Sequence, residues 1–97
     1  MSDRVTHTGS FYGTGASLNV TKLGFRPRAV TLLNKDGLCR LEWTKDMADA
    51  SGVKTVTDGT ISFITSNGIT PLANGFTLGA DTDVNVADEL VHYVAVD

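Results

Sequence analysis

Hydrophobic and polar residues alternate with a period of two over most of the chain, which is typical of half-buried β-strands. In the segment LCRLEWT, the apolar residues Cys39, Leu41 and Trp43 share one face. The charged residues Arg40 and Glu42 share the other face. Helix-forming residues are concentrated only in the segment 44–52, which we interpret as a loop between strands with room for one helical turn. The pattern therefore predicts a protein built mainly from strands.

Dipeptides that tolerate positive φ angles divide the chain into short segments, and such dipeptides suit tight hairpins. They are Asp36-Gly37, Asp58-Gly59, Asn67-Gly68 and Asn74-Gly75. We predict a hairpin around the first of them. The predicted strands cover residues 5–12, 17–20, 28–34, 38–44, 54–57, 60–65, 69–71, 76–78 and 89–96. Short strands separated by frequent turns indicate an all-β fold, namely an antiparallel β-sandwich or a barrel-like domain.

The length and charge of the chain limit its organisation and its partners. With 97 residues and a net charge of −3, we expect a single β domain, 1–97, with a polar N-terminal segment of about ten residues. The nearest approach to a basic patch is Lys22, Arg26 and Arg28, too few cations for a nucleic-acid binder. No apolar run is long enough for a signal peptide or a membrane span. We expect a protein of the cytoplasm, or of a particle assembled there.

The segment GADTDVNVADEL has the alternating oxygen-bearing side chains with which a calcium-binding loop begins: Asp81, Asp83 and Asn85. The rest of the calcium-loop pattern is missing. The sixth position requires glycine but holds Val86, and the twelfth requires glutamate but holds His92. The flanking segments also resemble strands rather than helices. We therefore interpret the segment as the connection between the last two strands, and we expect no metal site.

Other candidate sites are equally incomplete. The segment 13–17, GTGAS, lacks the lysine and the following helix of a phosphate-binding loop, so we interpret it as a turn. Catalysis could use Cys39 with His7 or His92, because catalytic partners need only be close in space. However, Cys39 alternates with apolar residues, so we expect it in the core. We predict no enzyme activity, no catalytic residue and no cofactor.

The last strand is apolar on both faces, which is unusual for a domain of this size. One face carries Val91, Tyr93 and Ala95, and the other carries Leu90, His92, Val94 and Val96. A strand that is apolar on both faces is buried on both. We predict that a second copy of the chain or a partner covers the second face, and that Leu90, Val94 and Val96 mediate self-association. The alternative is that the loops of the domain itself cover this face.

Four segments of the sequence together resemble small structural proteins of tailed bacteriophages. They are GTGASLNVTKLGFRPRAVTLLNKDG, LEWTKDMADASGVKTVTDGT, ITSNGITPLANGFTLGADTDVN and ELVHYVAV, and the resemblance covers roughly residues 10–97. One departure is Ala87-Asp88, where the pattern often has a pair similar to Asn-Gly. The matching positions are Leu23, Gly24, Phe25, Pro27, Val30, Glu42, Trp43, Met47, Asn74, Gly75, Phe76, Gly79, His92, Tyr93 and Ala95.

The resemblance implies a virion structural component without chemistry of its own. Because the sequence starts at Met1, we expect a whole short protein, for which a capsid decoration (cement) protein is favoured over a tail-fibre fragment. Such proteins often act as trimers on the capsid surface, where they bind the major capsid protein and stabilise the head lattice. We expect contacts from the segment 2–7 and the loop 45–53, with Arg4, Val5, His7 and Met47 among the interacting residues. A tail-associated adaptor and a small non-virion binding protein remain as alternatives.

Overall fold

Residues 6–97 are described by a computed structural model, in which they form antiparallel strands and no helix. This part of the chain accordingly has no helix that could span a membrane. The prediction of an all-β protein is confirmed. The strands are β1 Thr6–Tyr12, β2 Leu18–Val20, β3 Ala29–Asn34, β4 Cys39–Thr44, β5 Ser51–Thr55, β6 Ile61–Leu72, β7 Gly75–Leu78 and β8 Leu90–Val96.

All eight strands belong to one sheet, whose order is β1-β8-β3-β4-β5-β6-β7-β2. The sheet curls into a barrel-like shape, so the barrel-like alternative is the one realised. Its two edge strands, β1 and β2, do not pair with each other. Residues of both edges, including Phe11 and Leu18, instead line a cleft of about 140 Å³ between them. The curled sheet therefore has an open seam on one side.

The core lies inside the curl and is built from inward-facing strand residues, together with Leu23 and Val84 from the loops. Cys39 is buried there, as the sequence predicts. The ring of Tyr93 stacks on His7 with centroids 5.7 Å apart and meets Phe76 edge-on at 5.6 Å. The buried apolar residues are Val20, Leu23, Val30, Leu32, Cys39, Leu41, Trp43, Ile69, Phe76, Leu78, Val84, Val91, Tyr93 and Ala95.

The close contact between β7 and β2 requires a glycine. A Cβ atom added to Gly75 would lie 1.8 Å from the carbonyl oxygen of Val20, which is a main-chain atom and cannot rotate away. Gly75 directly follows the Ala73-Asn74 turn that joins β6 to β7. The predicted turn at Asn74-Gly75 is therefore confirmed, and its glycine also lets two strands approach closely.

One predicted turn is wrong. Asn67-Gly68 lies within β6 and does not reverse the chain, so residues 60–65 and 69–71 are two parts of one long strand. Asn67 does adopt a positive φ of 60°. At this point the pairing with β5 jumps, because Ser51 pairs with Ile69 whereas the next residue of β5 pairs with Ile64. The positive φ therefore serves a bulge rather than a hairpin.

Candidate functional site

The loop 79–89 joins β7 to β8 and folds back against the sheet, so the predicted connection of the last two strands is confirmed. Asp81 organises the loop. One oxygen of its carboxylate, Oδ2, accepts hydrogen bonds from the main-chain amides of Asp83 and Val84, both at 3.0 Å. Its carbonyl oxygen accepts a further one from the amide of Asn85 at 3.0 Å. These bonds form a turn of the kind that aspartate commonly stabilises.

A lysine of the chain itself neutralises the acidic side chains of this loop. The Nζ atom of Lys54 lies 3.0 Å from Asp81 Oδ1 and 2.6 Å from Asp83 Oδ2. Burial lowers the pKa of Lys54, but its hydrogen bonds to Asp83 and Asp81 outweigh that effect and leave the pKa above its usual value. The ammonium group occupies the space between the two carboxylates that a cation would need. Within residues 6–97, no cluster of three or more His, Cys, Asp and Glu side chains could hold a metal ion.

The glycine-rich turn 13–17 is bound by the same loop. The amides of Thr14 and Gly15 donate to Asn85 Oδ1, at 2.9 and 3.3 Å. The Nδ2 atom of Asn85 donates to the carbonyl oxygens of Ala16 and Gly79, at 2.7 and 2.9 Å. Two amides that a phosphate group would need are thus already paired with a buried amide side chain. The turn has a structural role in closing the inside of the sheet.

Cys39 is not arranged as a nucleophile. Its Sγ atom donates to the carbonyl oxygen of Asp83 at 2.9 Å. Burial, followed by the negative charges of Asp83 and Asp81, raises the pKa of the thiol from 9.0 to about 11. The thiol is therefore neutral at physiological pH, whereas reactive cysteines need a lowered pKa. In the described part of the chain, no hydrogen bond joins Cys39 to a histidine.

The outward face of the sheet carries the most exposed apolar surface within the strands. Tyr12 on the edge strand β1 is strongly exposed (65%), and so are four apolar side chains of β3, β6 and β8: Leu33 (47%), Ile61 (68%), Phe63 (56%) and Val94 (41%). We call these four residues the outer apolar patch. Val94 and Phe63 lie in the same row of paired residues, which runs Val94, Thr31, Glu42, Val53, Phe63. Four strand spacings separate the two ends of the row, about 19 Å along the curved sheet.

An ion pair divides the outer apolar patch in the middle. Arg40 Nε and Glu42 Oε1 on β4 lie 3.8 Å apart, and both side chains are about half exposed. On one side of the pair, Leu33 and Val94 lie on β3 and β8, and on the other side the two remaining patch residues lie on β6. Exposed ion pairs contribute little to stability, so this one has no strong structural function.

The residues predicted to interact are distributed over different parts of the molecule. Val94 belongs to the outer apolar patch, and Leu90 and Val96 flank it on β8 with half-buried side chains. The loops of the domain leave Val94 exposed, so the alternative in which they cover the whole second face of the last strand is not realised. His7 is half-buried against Tyr93.

Met47 is half-buried and packs against the core. Its main-chain amide donates a hydrogen bond to the carbonyl oxygen of Thr44 at 2.9 Å, which forms a turn after β4. The predicted contact loop 45–53 extends into β5, since β5 begins at Ser51. Arg4 and Val5 lie outside the described residues. Residues 6–10 of the predicted polar N-terminal segment form part of β1 and pair with β8.

Three members of the outer apolar patch were not predicted as interaction residues: Leu33, Ile61 and Phe63. The sequence shows that Ile61 and Phe63 share a face of their strand, but alternation alone does not show which face points outward. The pairing of Phe63 with Val53, and of Val53 with Glu42, determines it. Glu42 marks the solvent face of β4, but the sequence does not show that Phe63 lies in the same row.

Comparisons of the chain with protein-family models, with curated proteins and with solved structures each found no match.

Proposed function

We propose that this chain is a non-enzymatic structural protein whose outward sheet face binds other protein surfaces, and that it decorates the head of a tailed bacteriophage. The observation that carries the proposal is the outer apolar patch, Leu33, Ile61, Phe63 and Val94. The resemblance to phage structural proteins supplies the partner, the major capsid protein, and the location on the virion. Nothing else in the proposal depends on that resemblance.

The size of the patch supports an interface. Fully burying one large aliphatic or aromatic side chain contributes roughly 1.5–3 kcal/mol. Burying the exposed parts of the four patch side chains would therefore contribute roughly 3–6 kcal/mol before the costs of association. A soluble monomer commonly exposes single apolar residues, but a group of them on one face is typical of an interaction site.

The interior supports a structural role in a different way. Among the described residues, every buried side-chain nitrogen and oxygen has a hydrogen-bond partner. The charged groups inside the curl, Lys54, Asp81 and Asp83, pair with one another. Active sites commonly hold polar groups without partners or with strongly shifted pKa values. Here Lys54, Asp81 and Asp83 are paired with one another and hold the loop 79–89 in place. Repetition of modest contacts over a lattice would supply the avidity that a single small face lacks.

The proposal is tested by adding the pure chain to phage heads that lack it and measuring the bound amount after sedimentation. We expect saturable binding. Phe63→Ser and Val94→Ser should each reduce the occupancy, because each removes an apolar contact from the outer face. Leu38→Ser is the matched control, since Leu38 is also strongly exposed but lies in the turn between β3 and β4.

Two results would contradict the proposal in different ways. Failure of the unaltered chain to bind heads would remove the capsid as its partner. Equal losses for Leu38→Ser and Phe63→Ser would show that exposed apolar residues act without regard to their position, which would remove the outer face as the interface.

A further inference from the structure

A cavity of about 380 Å³ lies at one end of the curled sheet, away from the outer apolar patch. It is bounded by the residues that precede β3, by the end of β4 and the loop after it, and by the second half of β6. Its volume falls within the range of small-molecule sites, which often occupy the mouths of barrel-like folds. The lining residues are Arg26, Pro27, Arg28, Trp43, Lys45, Asp49 and Pro71.

The rim of the cavity is cationic although the chain as a whole has a net charge of −3. Arg26, Arg28 and Lys45 line it, against the single carboxylate of Asp49. Within residues 6–97, none of these three cations forms an ion pair with an aspartate or glutamate side chain. Arg28 uses one guanidinium nitrogen, Nη2, to donate to a main-chain oxygen of the last residue, Asp97, at 3.0 Å, which leaves its other donors available.

The floor of the cavity is apolar and fixed. Trp43, Pro27 and Pro71 are all buried residues, so only part of each side chain faces the cavity. The indole nitrogen of Trp43 donates to the carbonyl oxygen of Ala48 at 3.2 Å, which holds the neighbouring loop against the ring. The indole ring and the two pyrrolidine rings make this floor rigid, so it loses little conformational freedom when a ligand binds.

Main-chain hydrogen bonds also fix the spacing of the cationic rim. The amide of Lys45 donates to the carbonyl oxygen of Arg28 at 2.8 Å. The amide of Arg28 donates to the carbonyl oxygen of Val96 at 2.7 Å. Two of the three rim cations thus have their main chains bonded directly to each other, and one is anchored to β8. The backbone of the site is formed before any ligand arrives.

We propose that this cavity binds a small ligand that has an anionic group on a ring-sized apolar body. The anionic group, a carboxylate or a phosphate, would lie at the rim, where the guanidinium groups of Arg26 and Arg28 can donate pairs of hydrogen bonds. The ring would lie over the small part of Trp43 that reaches the cavity and over the two prolines, all of them buried residues. Asp49 disfavours ligands whose negative charge extends to its side of the rim. This site shares no residue with the outer apolar patch, although Lys45 and Asp49 belong to the loop 45–53.

Trp43 provides a direct readout, because it is the only tryptophan of the chain. Its fluorescence is titrated with four probes: benzoate, phenyl phosphate, benzyl alcohol and inorganic phosphate. We expect a saturable change with benzoate or with phenyl phosphate, and the stronger of the two identifies the preferred anionic group. Benzyl alcohol has the ring without the charge, and inorganic phosphate has the charge without the ring. Both should bind at least about tenfold more weakly than the better probe.

Charge-removing variants locate the site. Arg26→Gln combined with Lys45→Gln should weaken binding of the better probe by about tenfold or more, because charge-assisted hydrogen bonds are lost. Arg40→Gln is the matched control, since Arg40 is equally a surface arginine but lies on the outer face. It should leave the affinity unchanged. All three residues are exposed, so these variants should fold normally.

Three results would overturn the proposal. One is a response to benzoate and phenyl phosphate that does not saturate. Another is equal binding of benzyl alcohol, which would show that the cations contribute nothing. The third is an equal loss of affinity in Arg40→Gln, which would show that binding follows net charge and not the cavity.

Discussion

The buried ion cluster gives the sharpest prediction about stability. Replacing Lys54 by methionine keeps much of the volume of the side chain but removes the ammonium group between Asp81 and Asp83. The side chains of Lys54 and Asp81 are only 14% and 8% exposed, so the remaining charge of Asp81 would be held largely away from water. The side chain of Asp83 is 49% exposed and can be solvated after the change.

The expected loss of stability follows from these exposures. Removing one partner of a fully buried ion pair costs about 3–5 kcal/mol, because the other charge stays buried without compensation. The half-exposed pair with Asp83 contributes only about 0–1 kcal/mol. Two amide hydrogen bonds continue to stabilise the Asp81 carboxylate and offset part of the penalty. We therefore expect Lys54→Met to lower the free energy of unfolding by about 2–4 kcal/mol.

The measurement is urea-induced unfolding at neutral pH followed by tryptophan fluorescence. Lys35→Met is the matched control, since Lys35 is exposed and makes no ion pair within the described residues, and it should change stability by less than about 0.5 kcal/mol. Adding Asp81→Asn to Lys54→Met should recover part of the loss, because the uncompensated charge disappears. Equal effects of the two lysine variants, or no recovery in the double variant, would refute the reasoning.

Three further predictions concern the thiol, a close contact and the loop. Burial raises the pKa of Cys39 to about 11, so the unfolded chain loses the thiol proton at a lower pH than the folded protein does. Above about pH 9 the free energy of unfolding should therefore fall by about 1.4 kcal/mol per pH unit, until the folded thiol also ionises. Cys39→Ala should remove this contribution in urea titrations at several pH values, and an unchanged slope would contradict it. Gly75→Ala should lower the unfolding free energy by about 1–3 kcal/mol or more, because its Cβ would clash with the carbonyl of Val20. A Cβ atom added to Gly37 would lie 3.4 Å from its nearest neighbour, the Nδ2 atom of Asn34, so Gly37→Ala should have a smaller effect. Thermal melts of the two variants measure the difference, and equal effects would contradict the clash. Asn85→Ala should cost about 2–4 kcal/mol, since its side chain makes four hydrogen bonds, and a cost below about 1 kcal/mol would show that water replaces them.

The sequence predicts the fold class well because strand periodicity is a local property. The alternation of Cys39, Leu41 and Trp43 and the turn at Asp36-Gly37 lie within ten residues, and the structure forms the hairpin of β3 and β4 there. Where the prediction fails, a longer-range contact decides. Asn67-Gly68 has the composition of a hairpin turn, but the pairing of β6 with both β5 and β7 makes it a bulge in one strand.

The candidate sites are less predictable because they combine residues that are distant in the sequence. The acidic loop is visible as a motif, and the missing glycine and glutamate already argue against calcium. However, no local pattern indicates that Lys54, 27 residues away from Asp81, would pair with it. The outer apolar patch depends on the register of several strands, and the cationic cavity gathers residues from 26 to 71. Such sites need the topology, which periodicity alone does not supply.

The central claim is that the chain is a structural component present in many copies on a phage head. The most direct test is its copy number relative to the major capsid protein in purified particles, determined by quantitative mass spectrometry. We predict a ratio of about one, or a simple fraction such as about one third, as expected for symmetric decoration of a lattice. A far smaller ratio would indicate a tail or vertex component, and complete absence from the particles would indicate a non-virion binding protein. Either result would contradict the claim.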